Sequence, residues 1–249
     1  MEETTIRECT TIAEFDGCVA LQREAFGLPD LELSPRRHLI VSRQAGGWTL
    51  GAFVADRLVG FVHHLAAVGD NEIFGYSHMM AVAKDYQNKG VGVRLKWAQR
   101  ERAMKEGRKL IKWTWDPMMA RNAYFNLNRL GAIVESYAEN FYGIDYNADS
   151  SLTEKVGLPS DRLFATWNLD SERVSALATG TTAPFQAQPV TSVAIPVEWT
   201  ALVKRDPARA RDEQARVRDE FKKAFAQRLI CAGFERGEKE SKYLLFEPQ

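Results

Sequence analysis

The sequence predicts an α/β fold in which helices pack on a mixed sheet, and three observations carry that expectation. Apolar runs at Trp48–Ala55, Leu58–Ala67 and Ile73–Val82 follow one another with short polar breaks, the texture of antiparallel strands. Helical periodicity flanks them, from Thr11 to Phe26 and from Gly90 to about Gly107. The order strand, helix, strand then recurs at Leu110–Trp115, Met119–Leu130 and Ile133–Tyr142.

Each element has a local reason. Ile6–Glu8 is a short strand. Thr11 and Glu14 have capping-box spacing, and Ile12, Phe15, Val19 and Phe26 follow at near-helical period. Ser34 before Pro35 reads as a helix cap with proline in the first turn, so a second helix is expected to about Gln44. Ala55-Asp56-Arg57 joins a hairpin, and Gly69-Asp70-Asn71 is the next turn. Asp116-Pro117 stops the strand at Trp115, and Gly131 stops the following helix. Beyond residue 147 the signals weaken. Leu163–Leu169 and Val190–Trp199 read as strands, and Ala178–Pro189 as a loop. A charged helix starts at Asp206-Pro207 and is expected to end at Gly233, before a last strand at Tyr243–Phe246.

Composition narrows the function classes. The chain has 249 residues, 45% hydrophobic and 27% charged, an ordinary globular mixture. Lys+Arg 33 balances Asp+Glu 33, so no net basic field points to nucleic acid or an anionic membrane. No apolar run is long enough for a membrane span, and the acidic start MEETTIREC is unlike a secretory leader. Cys9, Cys18 and Cys231 have no metal-ligand spacing and read as core residues of a reduced, cytoplasmic protein, with no metal expected.

The chemistry centres on Gln87-Asn88-Lys89-Gly90-Val91-Gly92, a polar loop that leads from an apolar strand into a helix through two glycines. Glycine permits a sharp turn and close approach of a ligand to the backbone. The unpaired N–H groups of a helix start favour an anion. Lys89 and Arg94 are available as countercharge. A dinucleotide fingerprint would need glycine at Leu95, and no P-loop lysine follows.

This hexapeptide resembles the Q/R-x-x-G-x-G/A pyrophosphate signature of the GNAT superfamily of acyl-CoA-dependent N-acyltransferases, and Ala123 with Leu130-Gly131 resembles its second cofactor motif. The resemblance covers about residues 6–145. It implies a GNAT-type mixed, mostly antiparallel sheet with helices on both faces, carried by residues 1–147, with residues 148–249 as a C-terminal α/β extension packed on it. A short echo at Arg228-Leu229 to Gly233-Phe234 resembles the end of the second motif but does not make a second domain. The resemblance also implies that the amides of Gln87, Asn88, Lys89, Gly90, Val91 and Gly92 hold coenzyme A pyrophosphate. Met80 and Val82 are then the expected backbone contacts of the pantetheine arm, and Asn122, polar at a helix beginning, is either a cofactor contact or an ordinary helix cap.

The implied reaction is direct attack of a primary amine on an acyl thioester, an acyl-CoA N-acyltransferase of class EC 2.3.1 with acetyl-CoA as co-substrate and a small-molecule amine as partner. Succinyl-CoA or another short acyl-CoA is an open alternative, as is a noncatalytic acyl-CoA sensor or scaffold, and the chain is read as monomer or homodimer. Many relatives place an acidic tyrosine four residues before the second motif's glycine, where this chain has Leu127. Tyr124 is the nearest substitute. For the base, His78 is expected to share a strand face with Met80 and Val82 by simple alternation. His63 and His64, being adjacent, should face opposite sides. Asp116 is a candidate ammonium ligand or a turn residue, and Trp113 and Trp115 are pocket walls or core.

Overall fold

The computed structural model describes residues 3–69, 72–144, 157–185 and 187–248. Asp70 and Asn71 of the expected turn, and the 147/148 boundary, lie outside these. The described residues fall into two compact units that divide inside one strand, between Lys112 and Trp113.

In the first unit, β1 (Thr4–Glu8), β2 (Trp48–Val54), β3 (Arg57–Gly69) and β4 (Glu72–Val82) pair in sequence order, each antiparallel to the last. The β2–β3 hairpin closes at Ala55-Asp56, with Ala55 at φ 49°. Helix α1 (Ile12–Phe26) opens with the complete capping box of Thr11 and Glu14 and closes on left-handed Gly27. With α2 (Arg36–Gln44) it covers one sheet face, where Phe15, Cys18, Leu21 and Leu39 pack on Phe53, Phe61 and Ala81. Helix α3 (Val91–Lys105) lies on the other face, and Leu95 is fully buried against the strands. β5 (Leu110–Trp115) runs parallel to β4 and pairs with it at Gly75–Ile111 and Tyr76–Lys112.

In the second unit, α4 (Ala120–Tyr124) passes directly into a π-helical turn, Phe125–Arg129, where one continuous α-helix is expected from sequence. β6 (Ile133–Ala138) and β7 (Arg162–Asn168) pair antiparallel, and β7 is inserted between β5 and β6. After α5 (Glu172–Ala178), β8 (Thr191–Pro196) and α6 (Trp199–Arg205), helix α7 (Pro207–Ala226) starts under the Asp206 cap. It ends at Ala226, short of Gly233. That glycine sits within β9 (Ile230–Glu235), opposite Leu244 of β10 (Glu240–Phe246), because Ile230, Cys231, Ala232 and Phe234 are buried strand residues.

The second unit also repeats a connectivity. β8, α7, β9 and β10 follow the scheme of β5, α4, β6 and β7, and β10 lies between β8 and β9 as β7 lies between β5 and β6. The equivalent strands β6 and β9 meet antiparallel at Val134–Cys231. Packing across this junction is reciprocal: Asn128 Nδ2 donates to the Phe234 carbonyl at 3.1 Å, and the α7 ring of Phe221 lies 5.8 Å from Tyr137 of β6.

Candidate active site

The loop between β4 and α3 is built around two left-handed residues. A single 3-10 turn, Lys84–Tyr86, leaves Gln87 extended, with its Nε2 donating back to the Val82 carbonyl at 3.1 Å. Asn88 then takes φ 60° and Gly90 φ 82°. Gly90 is the N-cap of α3, and no side chain caps it. The N–H groups of the first helical turn are therefore presented at the protein surface, where the helix dipole adds to their positive potential. A Cβ built on Gly90 meets nothing within 4 Å, so the approach to these amides is open. Gly92 has a different purpose. A Cβ there would point toward Met80 and Val82, at an ordinary contact distance of 3.5 Å from Met80 Cε, so the glycine leaves room between the helix start and β4.

Lys89 is exposed, with its Nζ 5.4 Å from the Tyr86 ring, and adds positive charge to the loop. Arg94 is engaged elsewhere, with its guanidinium donating to the Thr4 carbonyl. Beyond Tyr76, β4 continues to pair with β3, but among the described residues no further pair joins it to β5. Among the described residues, the edge of β4 from Ser77 to Val82 that faces away from β3 therefore has no strand pairing.

The β3–β4 register slips at this point. His63 pairs with Met79 and His64 with Ser77, which leaves His78 as the extra residue of a bulge. Alternation along the strand is broken, and His78 does not share a face with Met80 and Val82. Met80 lies beside Gly92 of α3, whereas His78 stacks on His38 of α2, with ring centroids 5.4 Å apart and 11° between planes. His63 completes the cluster at 5.5 Å from His38 and 6.0 Å from His78. Thr49 Oγ1 meets His63 Nδ1 at 2.8 Å, and Ser42 Oγ meets its Nε2 at 3.2 Å. Burial, reinforced by the neighbouring histidines, pushes His63 down to about 3. Burial and the His38 ring push His78 down to about 4, so it is neutral at pH 7. Among the described residues, no group of three or more His, Cys, Asp or Glu side chains is arranged to hold a metal ion.

His64 faces the other way, as adjacency requires. It stacks flat on Trp48 at 4.0 Å, and its Nδ1 lies 3.3 Å from Gln99 Nε2. Gln99 Oε1 accepts from Lys96 Nζ at 2.6 Å, and the same amine reaches Ser77 Oγ at 3.1 Å. Complete burial lowers Lys96 well below the usual lysine range.

The remaining candidates belong to the second unit. Asn122 is exposed at the third position of α4; the cap position belongs to Met119, which makes no side-chain cap bond. Tyr124 is half-buried, with the Arg236 guanidinium 4.0 Å above its ring. Leu127 is fully buried, and its carbonyl accepts from Arg173 at 2.8 Å. Asp116 takes the turn role, with Oδ1 accepting from the Met118 N–H at 2.8 Å. Trp113 and Trp115 are core: Trp113 packs edge-on to Trp167 at 5.7 Å, and Trp115 Nε1 donates to Tyr243 Oη at 3.3 Å.

Residues 15–126, which include the glycine loop, match the family model described as acetyltransferase (GNAT) family. That stretch, a little under half of the chain, is similar to the GNAT acetyltransferase family. Solved structures agree in fold. The ribosomal-protein-S18-alanine N-acetyltransferase from Escherichia coli superposes with TM-score 0.54 at 15% identity, covering 68% of this chain and 96% of that one. A GNAT family acetyltransferase from Elizabethkingia anophelis, solved with acetyl-CoA bound, gives TM-score 0.50 at 19% identity, covering 68% and 99%. No curated protein sequence matches the chain. Among the described residues, no helix is long and apolar enough to cross a membrane.

Proposed function

We propose that this chain is an acyl-CoA-dependent N-acyltransferase that moves an acyl group, acetyl by default, from acyl-CoA to a primary amine. The observation that carries the reading is the open, uncapped start of α3 at left-handed Gly90, which follows a β4 edge unpaired among the described residues from Ser77 to Val82. The backbone amides from Asn88 to Gly92 would hold the pyrophosphate. Backbone groups of Met80 and Val82 would pair with the pantetheine arm along the free edge. Acyl-CoA supplies the activated thioester, and the chain supplies orientation and an acceptor for the proton lost by the amine. We assign that acceptor role to His78, which is half-buried and neutral at pH 7. Residues 1–147 are proposed as the acyl-CoA-binding domain and residues 148–249 as an extension, in a cytoplasmic protein. The expectation that Tyr124 protonates the thiolate is tested by Tyr124→Phe.

A second reading has one observation in its favour: the position of the family's tyrosine holds fully buried Leu127. A noncatalytic acyl-CoA sensor would have no need of an acid there. Thiol release from acetyl-CoA and succinyl-CoA, measured against a panel of small amines, separates the two. Turnover with at least one amine is expected. Coenzyme A binding with no thiol released by any amine would favour the sensor, and no binding at all would defeat both.

A further inference from the structure

The sequence places a helix cap at Ser34, but its hydroxyl is not used on the helix. Helix α2 begins after Pro35 with no side-chain cap bond, and Ser34 Oγ lies 3.2 Å from His78 Nε2. The peptide that presents this hydroxyl is held on both sides. Buried Gln22 of α1 accepts from the Ser34 N–H through Oε1 at 2.8 Å and donates through Nε2 to the Ser34 carbonyl at 3.1 Å. Spending both ends of a buried amide on one surface segment fixes where that segment's hydroxyl can point.

Behind His78 the arrangement is also directed. The groups that face it are Ser34 from the segment before α2, His38 from α2 and His63 from β3, while Gln22 of α1 acts through Ser34. His63 is fixed at both ring nitrogens by Thr49 and Ser42. His38 is not, for its Nε2 is buried without a hydrogen-bond partner. The network around Lys96 leaves one imidazole nitrogen in the same state, His64 Nε2, so what distinguishes the His78 cluster is its half-buried end at Ser34 and His78.

We infer that Ser34 and His78 act as one proton-transfer pair for the acceptor amine, with Ser34 Oγ as the atom the amine meets and with Gln22 and His38 as positioning residues. The inference rests on the transferase reading. In the step, the amine lone pair forms the C–N bond to the thioester carbonyl carbon, and the C–S bond breaks with its electron pair leaving on sulfur. The proton released from nitrogen moves to Ser34 Oγ while the hydroxyl proton moves to His78 Nε2. The hydroxyl is thereby restored, and the imidazolium returns its proton to the thiolate or to solvent. This direction requires the tautomer with hydrogen on His78 Nδ1.

The test uses the full chain with Ser34→Ala, Ser34→Thr and His38→Gln. Ser34→Ala should lower kcat at least about tenfold at unchanged KM for acyl-CoA, and Ser34→Thr should restore most of the rate. Because His38 holds His78 down, His38→Gln should move the acid limb of kcat/KM to higher pH. In the ligand-free protein, long-range 1H–15N spectra should show the His78 midpoint raised by His38→Gln and its Nε2 resonance displaced by Ser34→Ala. A Ser34→Ala kcat within about twofold of wild type, or an unmoved His78 resonance, overturns the inference alone. A wild-type protein that acylates no amine defeats the transferase reading and this inference with it.

Discussion

On one face of the β3–β4 pair His63 meets His38 and His78; on the other, His64 meets Gln99 and, through it, Lys96. The two histidines are neighbours in the chain and both are fully buried. What surrounds them differs. Each face leaves one buried imidazole nitrogen without a hydrogen-bond partner among the described residues, His38 Nε2 and His64 Nε2, but the α2 face ends in half-buried His78 and Ser34. The α3 face ends in an amine enclosed between Ser77 and Gln99. Similar groups are arranged for proton exchange on one side and for holding a helix to a sheet on the other. Pleating produces the division, and the bulge shifts the phase of β4 so that His78 and Met79 both face α2 while Met80 faces α3.

The largest effect that would break this comparison is on the α2 face. His78→Ala should reduce turnover on the order of a hundredfold, with coenzyme A affinity near normal in a direct binding measurement. A variant of full activity would remove His78 from the chemistry.

Next in size is the response to acid, to which both faces contribute. Burial depresses His63 and His64 to about 3 and His78 to about 4 in the folded chain. Each folded-state value lies below the unfolded one, so the unfolded chain binds the extra protons. The stabilisation is complete above about pH 6.5 and is lost as pH falls toward these values, at up to about 1.4 kcal/mol per pH unit for each histidine. Urea melts from neutral pH downward should show this slope, and His63→Gln should flatten it. Stability that stays constant over that range would contradict the burial argument.

The smallest functional effect belongs to the α3 face. Lys96→Met keeps an unbranched apolar stem but leaves Ser77 Oγ and Gln99 Oε1 without the amine. Stability should fall by about 1–3 kcal/mol while kcat and coenzyme A affinity stay within about twofold. A collapse of turnover in a folded variant would move Lys96 from architecture to chemistry.

These contrasts also show which features were legible in the sequence. The Thr11–Glu14 box, the Ala55-Asp56 turn, the Gly90 helix start and the Asp206-Pro207 cap are local devices, each specified by a few neighbouring residues. The opposed facing of His63 and His64 followed from pleating alone. The His78 bulge did not, since it exists only as a mismatch between two strands and leaves no mark within β4. Ser34 misled for a similar reason: Ser-Pro specifies a cap locally, but Gln22 and His78, distant in sequence, take the residue for themselves. Gly233 read as a helix stop because glycine usually ends helices, whereas here the close packing of β10 against it gives it a place in a strand. Helix α5, capped by the Ser171 hydroxyl, was hidden beside a stretch of small residues with no period.

The central claim is that the start of α3 holds the pyrophosphate of an acyl-CoA, and calorimetric titration of coenzyme A into wild type, Gly90→Val and Gly92→Val tests it most directly. Gly90 sits at φ 82°, so its variant should also lose stability to backbone strain, at about 1–3 kcal/mol. Gly92 is free of that complication, because its added side chain makes only ordinary contacts with Met80 and Val82. Wild type should bind. Gly90→Val, whose side chain enters the open approach to the amides, should bind at least about tenfold more weakly, as expected if two charge-assisted N–H contacts of about 1.5–3 kcal/mol each are lost, while Gly92→Val should keep its melting midpoint and bind closer to wild type. Unchanged affinity in Gly90→Val would contradict the account.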